Sequence, residues 1–147
     1  MYAFDVGVKK WFNPERHILT SFILFLQSMD KTEFASVLGR AFSMAASEHG
    51  LSYSDGADEA WGTVGASYLG FALCGLKSSE LRSIQYSVRE RFGPVLLDCK
   101  WYDMLKAECL GGQEHTNALL PGPDGTLCNR TVTAQLFLEM LDFCREG

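Results

Sequence analysis

Residues 60–76 read AWGTVGASYLGFALCGL, and no charged side chain interrupts the sequence between Glu59 and Lys77. Aromatic and aliphatic side chains alternate in this stretch with small ones. It contains four glycines: Gly62, Gly65, Gly70 and Gly75. Because wetting apolar surface is costly, the stretch must lie in the core, in a membrane or against a partner.

Two local conformations fit the stretch. As a helix it places one apolar stripe on a single face: Trp61, Val64, Tyr68, Phe71, Ala72 and Leu76. As a pair of strands it would turn at a glycine. Each glycine costs a helix about 1 kcal/mol relative to alanine, which close packing of a second helix can offset. We interpret the stretch as a helix of the core, since a membrane span needs about 20 residues.

Amphipathic helices are predicted after and before this stretch. Before it, Asp30–Glu33 resembles a capping box, apolar residues recur at three and four from Phe34 to Ala45, and Gly50 suits a left-handed C-terminal position. After it, Ser78 begins a helix that Gly93-Pro94 ends.

Further elements are predicted towards both ends of the chain. The sequence predicts a short strand at Tyr2–Val8 and an apolar helix that begins at Asn13-Pro14 and runs to Met29. It also predicts a helix over Val95–Leu110 and a last helix that begins near Thr131 or Thr133.

The longest irregular segment is predicted at Gly111–Arg130. Pro121–Gly125 is a strong turn signal, and Leu119-Leu120 could pair with Thr126–Cys128 as a short hairpin. The predicted fold is therefore mainly α, a single domain over 1–147 with five or six helices and a small β-hairpin or N-terminal strand. An α+β domain is the alternative.

Composition narrows the class of function. The net charge is -5, from 18 acidic and 13 basic side chains, which argues against nucleic-acid binding. An acidic surface suits a basic protein partner. The five cysteines have no CxxC spacing. The first residues do not match the pattern of a secretion signal, and the alternative signal segment, Ile18–Leu26, is followed by a poor cleavage site. We therefore expect reduced thiols and a cytoplasmic protein, with no membrane association and no cofactor.

Weak candidates for chemistry lie around the predicted loop. Cys109 and His115 could form a nucleophile and base, with Asp124 orienting the imidazole. Cys109, His115 and Cys128 could hold zinc, but their spacing matches no tight zinc pattern. The unreactive interpretation is favoured for both sets. Common hydrolase, nucleotide and dinucleotide motifs are absent from the sequence.

Charged clusters provide candidates for partner binding. Carboxylates gather before the central stretch and near the predicted loop: Glu48, Asp55, Asp58, Glu59 and Glu114. Arg82 and Arg89 lie seven residues apart on one helix face and could meet a phosphate or an acidic partner. A solvated surface is the simpler interpretation of both clusters.

The sequence thus favours a non-enzymatic protein-binding module that binds a protein partner or a second copy of itself. In size and charge it is comparable to toxin-neutralising immunity proteins, secretion chaperones and adaptors. A small enzyme that uses Cys109 with His115 is the alternative.

Overall fold

A computed structural model describes residues 33–146 of the chain. The strand predicted at Tyr2–Val8 and the helix predicted to end at Met29 lie outside the described residues. The capping box at Asp30–Glu33 lies mostly outside them. The single-domain assignment for the whole chain stays a prediction.

The described part is mainly helical, as predicted. Five α-helices and a two-stranded antiparallel sheet follow one another in the order α1 (Glu33–Glu48), α2 (Ala57–Cys74), α3 (Ser78–Phe92), α4 (Tyr102–Leu110), β1 (His115–Pro121), β2 (Leu127–Thr133) and α5 (Ala134–Glu146). Short 3-10 turns at Cys99–Trp101 and Pro123–Gly125 precede α4 and join the strands.

Helix α2 is the central element, and the helical interpretation of residues 60–76 is confirmed up to Cys74, where α2 ends. Its side chains are buried on nearly all sides from Ala57 to Gly70. The predicted single stripe is wrong at Phe71 and Ala72, which are exposed, whereas Leu76 is buried. The Thr63 and Ser67 hydroxyls donate to main-chain carbonyls one turn earlier, at 3.0 and 2.7 Å, so their burial leaves no unpaired donor.

The glycines of α2 mark where neighbouring elements come closest. A Cβ atom at Gly62 would collide with the carbonyl oxygen of Ala35 and lie 2.8 Å from the main-chain nitrogen of Gly39. A Cβ atom at Gly70 would collide with the carbonyl oxygen of Pro121. The lost helix propensity is therefore offset by backbone-to-backbone packing against α1 and the hairpin.

Helix α3 is amphipathic, as its sequence predicts. Leu81, Ile84 and Val88 are buried, and Gly93 ends the helix at a φ of 80°. The Trp61 indole donates a 3.3 Å hydrogen bond to the Gly93 carbonyl. This bond ties the beginning of α2 to the end of α3.

The helix predicted at Val95–Leu110 begins too early. Residues 95–98 are not helical, and the Asp98 side chain accepts a hydrogen bond from the Lys100 main-chain nitrogen at 2.9 Å. Asp98 therefore caps a new turn rather than continuing a helix. The Tyr53 hydroxyl also donates to the Leu96 carbonyl at 2.9 Å, which holds the extended segment against the core.

The predicted hairpin is confirmed and is longer than expected. Leu120 pairs with Cys128 and His115 pairs with Thr133, so much of the predicted irregular segment is sheet. The last helix begins after Thr133, not at Thr131. Thr133 ends β2, and its hydroxyl accepts the Leu136 main-chain N–H at 3.2 Å.

Candidate functional site

Three of the five predicted partner-binding carboxylates line one groove. The groove lies between α1 and the beginning of α2 and encloses about 450 Å³. We call it the acidic groove. Its lining residues are Ser36, Gly39, Arg40, Asp55, Gly56, Asp58 and Glu59.

The floor of the acidic groove is the place where α1 approaches α2. A Cβ atom at Gly39 would lie 3.1 Å from the Asp58 carbonyl oxygen and 3.2 Å from the Glu59 Cα atom. Gly39 therefore lets the two helix backbones approach closely at the groove. The groove therefore results from the same close helix contact that buries α2.

The carboxylates of the groove also have a local structural role. Asp58 and Glu59 occupy the first turn of α2, where negative charge interacts favourably with the helix dipole. One Asp58 carboxylate oxygen accepts the Glu59 main-chain N–H at 2.8 Å. Asp55 precedes the helix and adds a third negative charge.

The net charge of the groove is negative. Three carboxylates oppose one guanidinium, that of Arg40, which gives a formal charge of −3 + 1 = −2. The sequence analysis missed Arg40 as a site residue. The sequence places Arg40 on the polar face of α1, one turn after Ser36. It does not show that α1 crosses α2 at this point.

The remaining predicted carboxylates lie elsewhere. Glu48 is exposed at the end of α1, and Glu114 is exposed just before β1. The Glu114 carbonyl accepts the Ala134 main-chain N–H at 2.8 Å, which joins the start of the hairpin to the start of α5. Neither residue is among those that line the acidic groove.

The candidate nucleophile Cys109 lies in an apolar setting. It lines a cavity of about 250 Å³ with Phe34 and Val37 of α1 and residues 116–119 of β1. Burial raises the pKa of the Cys109 thiol to about 12, so the thiol stays protonated at neutral pH. His115 and Asp124 are both exposed. A protonated thiol is a weak nucleophile, which counts against cysteine catalysis.

The zinc candidates are not grouped as a metal site. Among residues 33–146, no three His, Cys, Asp or Glu side chains are arranged to hold a metal ion. Cys128 instead lies beside Cys74, whose thiol contacts the Cys128 carbonyl at 4.0 Å. Burial, together with the Cys128 thiol, raises the pKa of Cys74 to about 12. Cys74 and Cys128 are 54 residues apart in the sequence, so the sequence alone did not predict this contact.

None of the helices within residues 33–146 is both long enough and apolar enough to cross a bilayer.

Comparison with known proteins gives one partial similarity. The chain is 28% identical over 119 residues to a 3-dehydroquinate synthase of Parabacteroides distasonis. The aligned region covers 78% of this chain and 34% of that relative, so the chain spans about a third of the relative's length. No protein-family model and no solved structure gives a significant match.

Proposed function

We propose that the chain is a non-enzymatic protein-binding module whose acidic groove accepts a basic side chain of a protein partner. The observation that carries the proposal is the convergence of Asp55, Asp58 and Glu59 on one open groove with a glycine floor. In this proposal the chain acts in the cytoplasm, as a toxin-neutralising immunity protein or as a secretion chaperone or adaptor. Its net charge of -5 and five free cysteines support that setting.

The chemistry of the groove favours arginine or lysine from the partner. A guanidinium or ammonium group can hydrogen-bond to several carboxylate oxygens at once, and charge-assisted hydrogen bonds are stronger than neutral ones. Clustered charge of one sign also steers an oppositely charged partner during encounter. Arg40 would repel such a group, so it limits affinity and helps to set the position of the incoming charge.

The test uses a labelled arginine-rich peptide and fluorescence anisotropy at about 0.15 M salt, where the Debye length is about 8 Å. Neutralising the groove with Asp55→Asn, Asp58→Asn and Glu59→Gln together should weaken binding at least about 10-fold, the equivalent of losing one charge-assisted hydrogen bond. Arg40→Gln should tighten binding, because it removes the one positive charge of the groove.

The matched control removes the same charge from another surface. Asp103→Asn, Glu108→Gln and Glu139→Gln change exposed residues of α4 and α5. This control should leave affinity within about 2-fold, since separated surface charges are screened by salt. Equal weakening in both triple variants would show a general charge effect and reject the groove as the site. Light scattering of the free chain tests a homodimer, the second form of partner in this proposal.

A second candidate function follows from the similarity to 3-dehydroquinate synthase. We propose as the alternative that the chain is a helical part of a related enzyme, because the similarity extends over 78% of the chain. The test is whether the chain restores growth of a bacterial strain that lacks that enzyme, alone or with the missing part of the relative supplied. Growth can be restored in either case. If the groove triple variant then loses this growth, the result favours the alternative over protein binding.

A further inference from the structure

A second charged cavity lies on a different surface, between α3 and α5, and encloses about 500 Å³. We call it the basic cleft. Its lining residues are Arg82, Gln85, Tyr86, Arg89, Phe143 and Glu146. Two guanidinium groups oppose one carboxylate, so the formal charge is +2 − 1 = +1 on a chain whose net charge is -5.

The helical repeat places both arginines on the cleft. Arg82 and Arg89 lie seven residues apart, which is close to two turns of α3, so they share one face. The buried stripe of Leu81, Ile84 and Val88 fixes the rotation of the helix against the core. Packing therefore determines that the two arginines face α5.

Arg89 has a donor with no acceptor. Its Nε atom is buried and makes no hydrogen bond within the part of the chain that the structure describes. A buried donor without a partner costs free energy, roughly 1–3 kcal/mol, and the cost is greater for charged groups. Arg89 lines the cleft, so an anion seated there would meet its guanidinium group. The buried Nε atom distinguishes the cleft from an ordinary solvated helix face.

An aromatic wall stands beside the arginines. The Arg82 guanidinium carbon lies 6.0 Å from the centre of the Phe143 ring. The Tyr68 ring centre lies 4.8 Å from that of Phe143, which holds the Phe143 ring in place from α2. A ligand whose anionic end reaches Arg89 could therefore rest an aromatic group against Phe143.

We propose that the basic cleft binds a small phosphate ester that carries an aromatic group. The two guanidinium groups offer donors in the planar arrangement that suits phosphate oxygens, and the Gln85 amide adds another donor. The cavity volume lies within the roughly 300–1,000 Å³ typical of small-molecule sites. Glu146, which also lines the cleft, disfavours a ligand with negative charge along its whole length, such as an acidic peptide.

The experiment titrates the chain with phenyl phosphate and follows binding by calorimetry or NMR shifts. Saturable binding is expected, and Arg82→Gln and Arg89→Gln should each weaken it at least about 10-fold. Arg91→Gln is the matched control. It removes the same charge from the same helix, but Arg91 is exposed beside Phe92 and does not line the cleft. Its affinity should stay within about 2-fold of the parent chain.

Two further probes separate the parts of the ligand. Phe143→Leu should weaken binding of phenyl phosphate several-fold more than binding of inorganic phosphate, because only the former has a ring to pack. A glutamate-rich peptide should bind more weakly than phenyl phosphate. If the peptide instead displaces phenyl phosphate at a lower concentration, the small-molecule proposal is overturned in favour of an acidic protein partner.

The proposal also fails if phenyl phosphate does not saturate, or if Arg91→Gln weakens binding as much as Arg89→Gln. Circular dichroism reports whether each variant is folded. Arg82 is exposed, so Arg82→Gln is expected to fold even if Arg89→Gln does not. Arg89→Lys provides a second variant, since it keeps the charge but loses the planar fork. It should bind with an affinity between those of the parent chain and Arg89→Gln.

Discussion

Helices α2 and α3 follow one another in the chain but meet their surroundings in different ways. Helix α2 is enclosed on nearly all sides over its first 14 residues, from Ala57 to Gly70, and its small residues allow other backbones to approach. Helix α3 buries a single stripe and presents arginines and polar residues on its other faces. Helix α2 therefore determines where the other elements lie, whereas the exposed surface of α3 can change with little effect on the fold.

The largest effect is expected from Gly62→Ala in α2. The added methyl group would meet main-chain atoms of Ala35 and Gly39, which cannot move without shifting α1. Overpacking usually costs about 1–3 kcal/mol, and a backbone clash places this variant at or above about 3 kcal/mol. Urea unfolding measures the loss.

Gly65→Ala is the comparison within the same helix. Its Cβ atom would meet the ends of the Leu38 and Met140 side chains, including the Met140 sulfur at 2.8 Å. These side chains can rotate, so we expect a smaller loss of about 1 kcal/mol. Leucine at Gly65 or Gly70 should cost more than alanine at the same position. If Gly62→Ala and Gly65→Ala were equally stable, the backbone contact would not govern the packing of α2.

The second largest effect is expected in α3, from Ile84→Ala. Ile84 is fully buried, and truncation of such a side chain typically costs about 2–5 kcal/mol through lost burial and the cavity that remains. We expect a value near the lower end, about 2.5 kcal/mol, because α3 contacts the core along one stripe only. Ser79→Ala on the exposed face is the control and should stay within about 0.5 kcal/mol. A large loss at Ser79 would remove the contrast between the two helices.

The sequence predicted the fold well where a helix has one apolar face. The apolar recurrence of α1 and the amphipathic pattern of α3 indicated a buried face, because each of these helices meets the core along a stripe. Periodicity could not identify the buried residues of α2 in the same way, because a helix buried on nearly all sides has no apolar stripe. The glycines of α2 are explained only by contacts with α1 and the hairpin. The false helical start at Val95 arose because Asp98 could either continue a helix or cap one.

The candidate sites were predicted only in part. Asp55, Asp58 and Glu59 are close in the sequence, so their clustering was visible, and so was the shared face of Arg82 and Arg89. Arg40 and Phe143 could not be assigned to these surfaces, because each comes from another helix that packing brings alongside. Cys74 and Cys128 meet for the same reason, where the end of α2 reaches β2.

The smallest effect concerns pH and the first turn of α3. Glu80 is 7% exposed, and one of its carboxylate oxygens has no hydrogen-bond partner among residues 33–146. Burial raises the pKa of Glu80, Lys77 opposes the rise and Asp124 adds to it. The folded state therefore holds this proton at a pH where the unfolded chain has released it. Stability from this group is present below the unfolded pKa and is lost as pH rises through the folded pKa.

Glu80→Gln tests this effect. It should stabilise the chain at neutral pH by up to about 1 kcal/mol, the lower end of the cost of a buried polar atom without a partner. It should also flatten the decline of thermal stability above the unfolded pKa. An unchanged pH profile would show that Glu80 is solvated in solution.

Thr133 has a consequence for how the chain tolerates changes in length. It is the last residue of β2, and its hydroxyl caps α5, so no loop separates strand from helix. Inserting one residue between Leu127 and Thr133 would move each following strand side chain to the opposite face, and α5 would have to move with the strand because no loop can absorb the change. The register of β2 thus fixes the position of α5. We expect insertions to be accepted at the Pro123–Gly125 tip but not between Leu127 and Thr133.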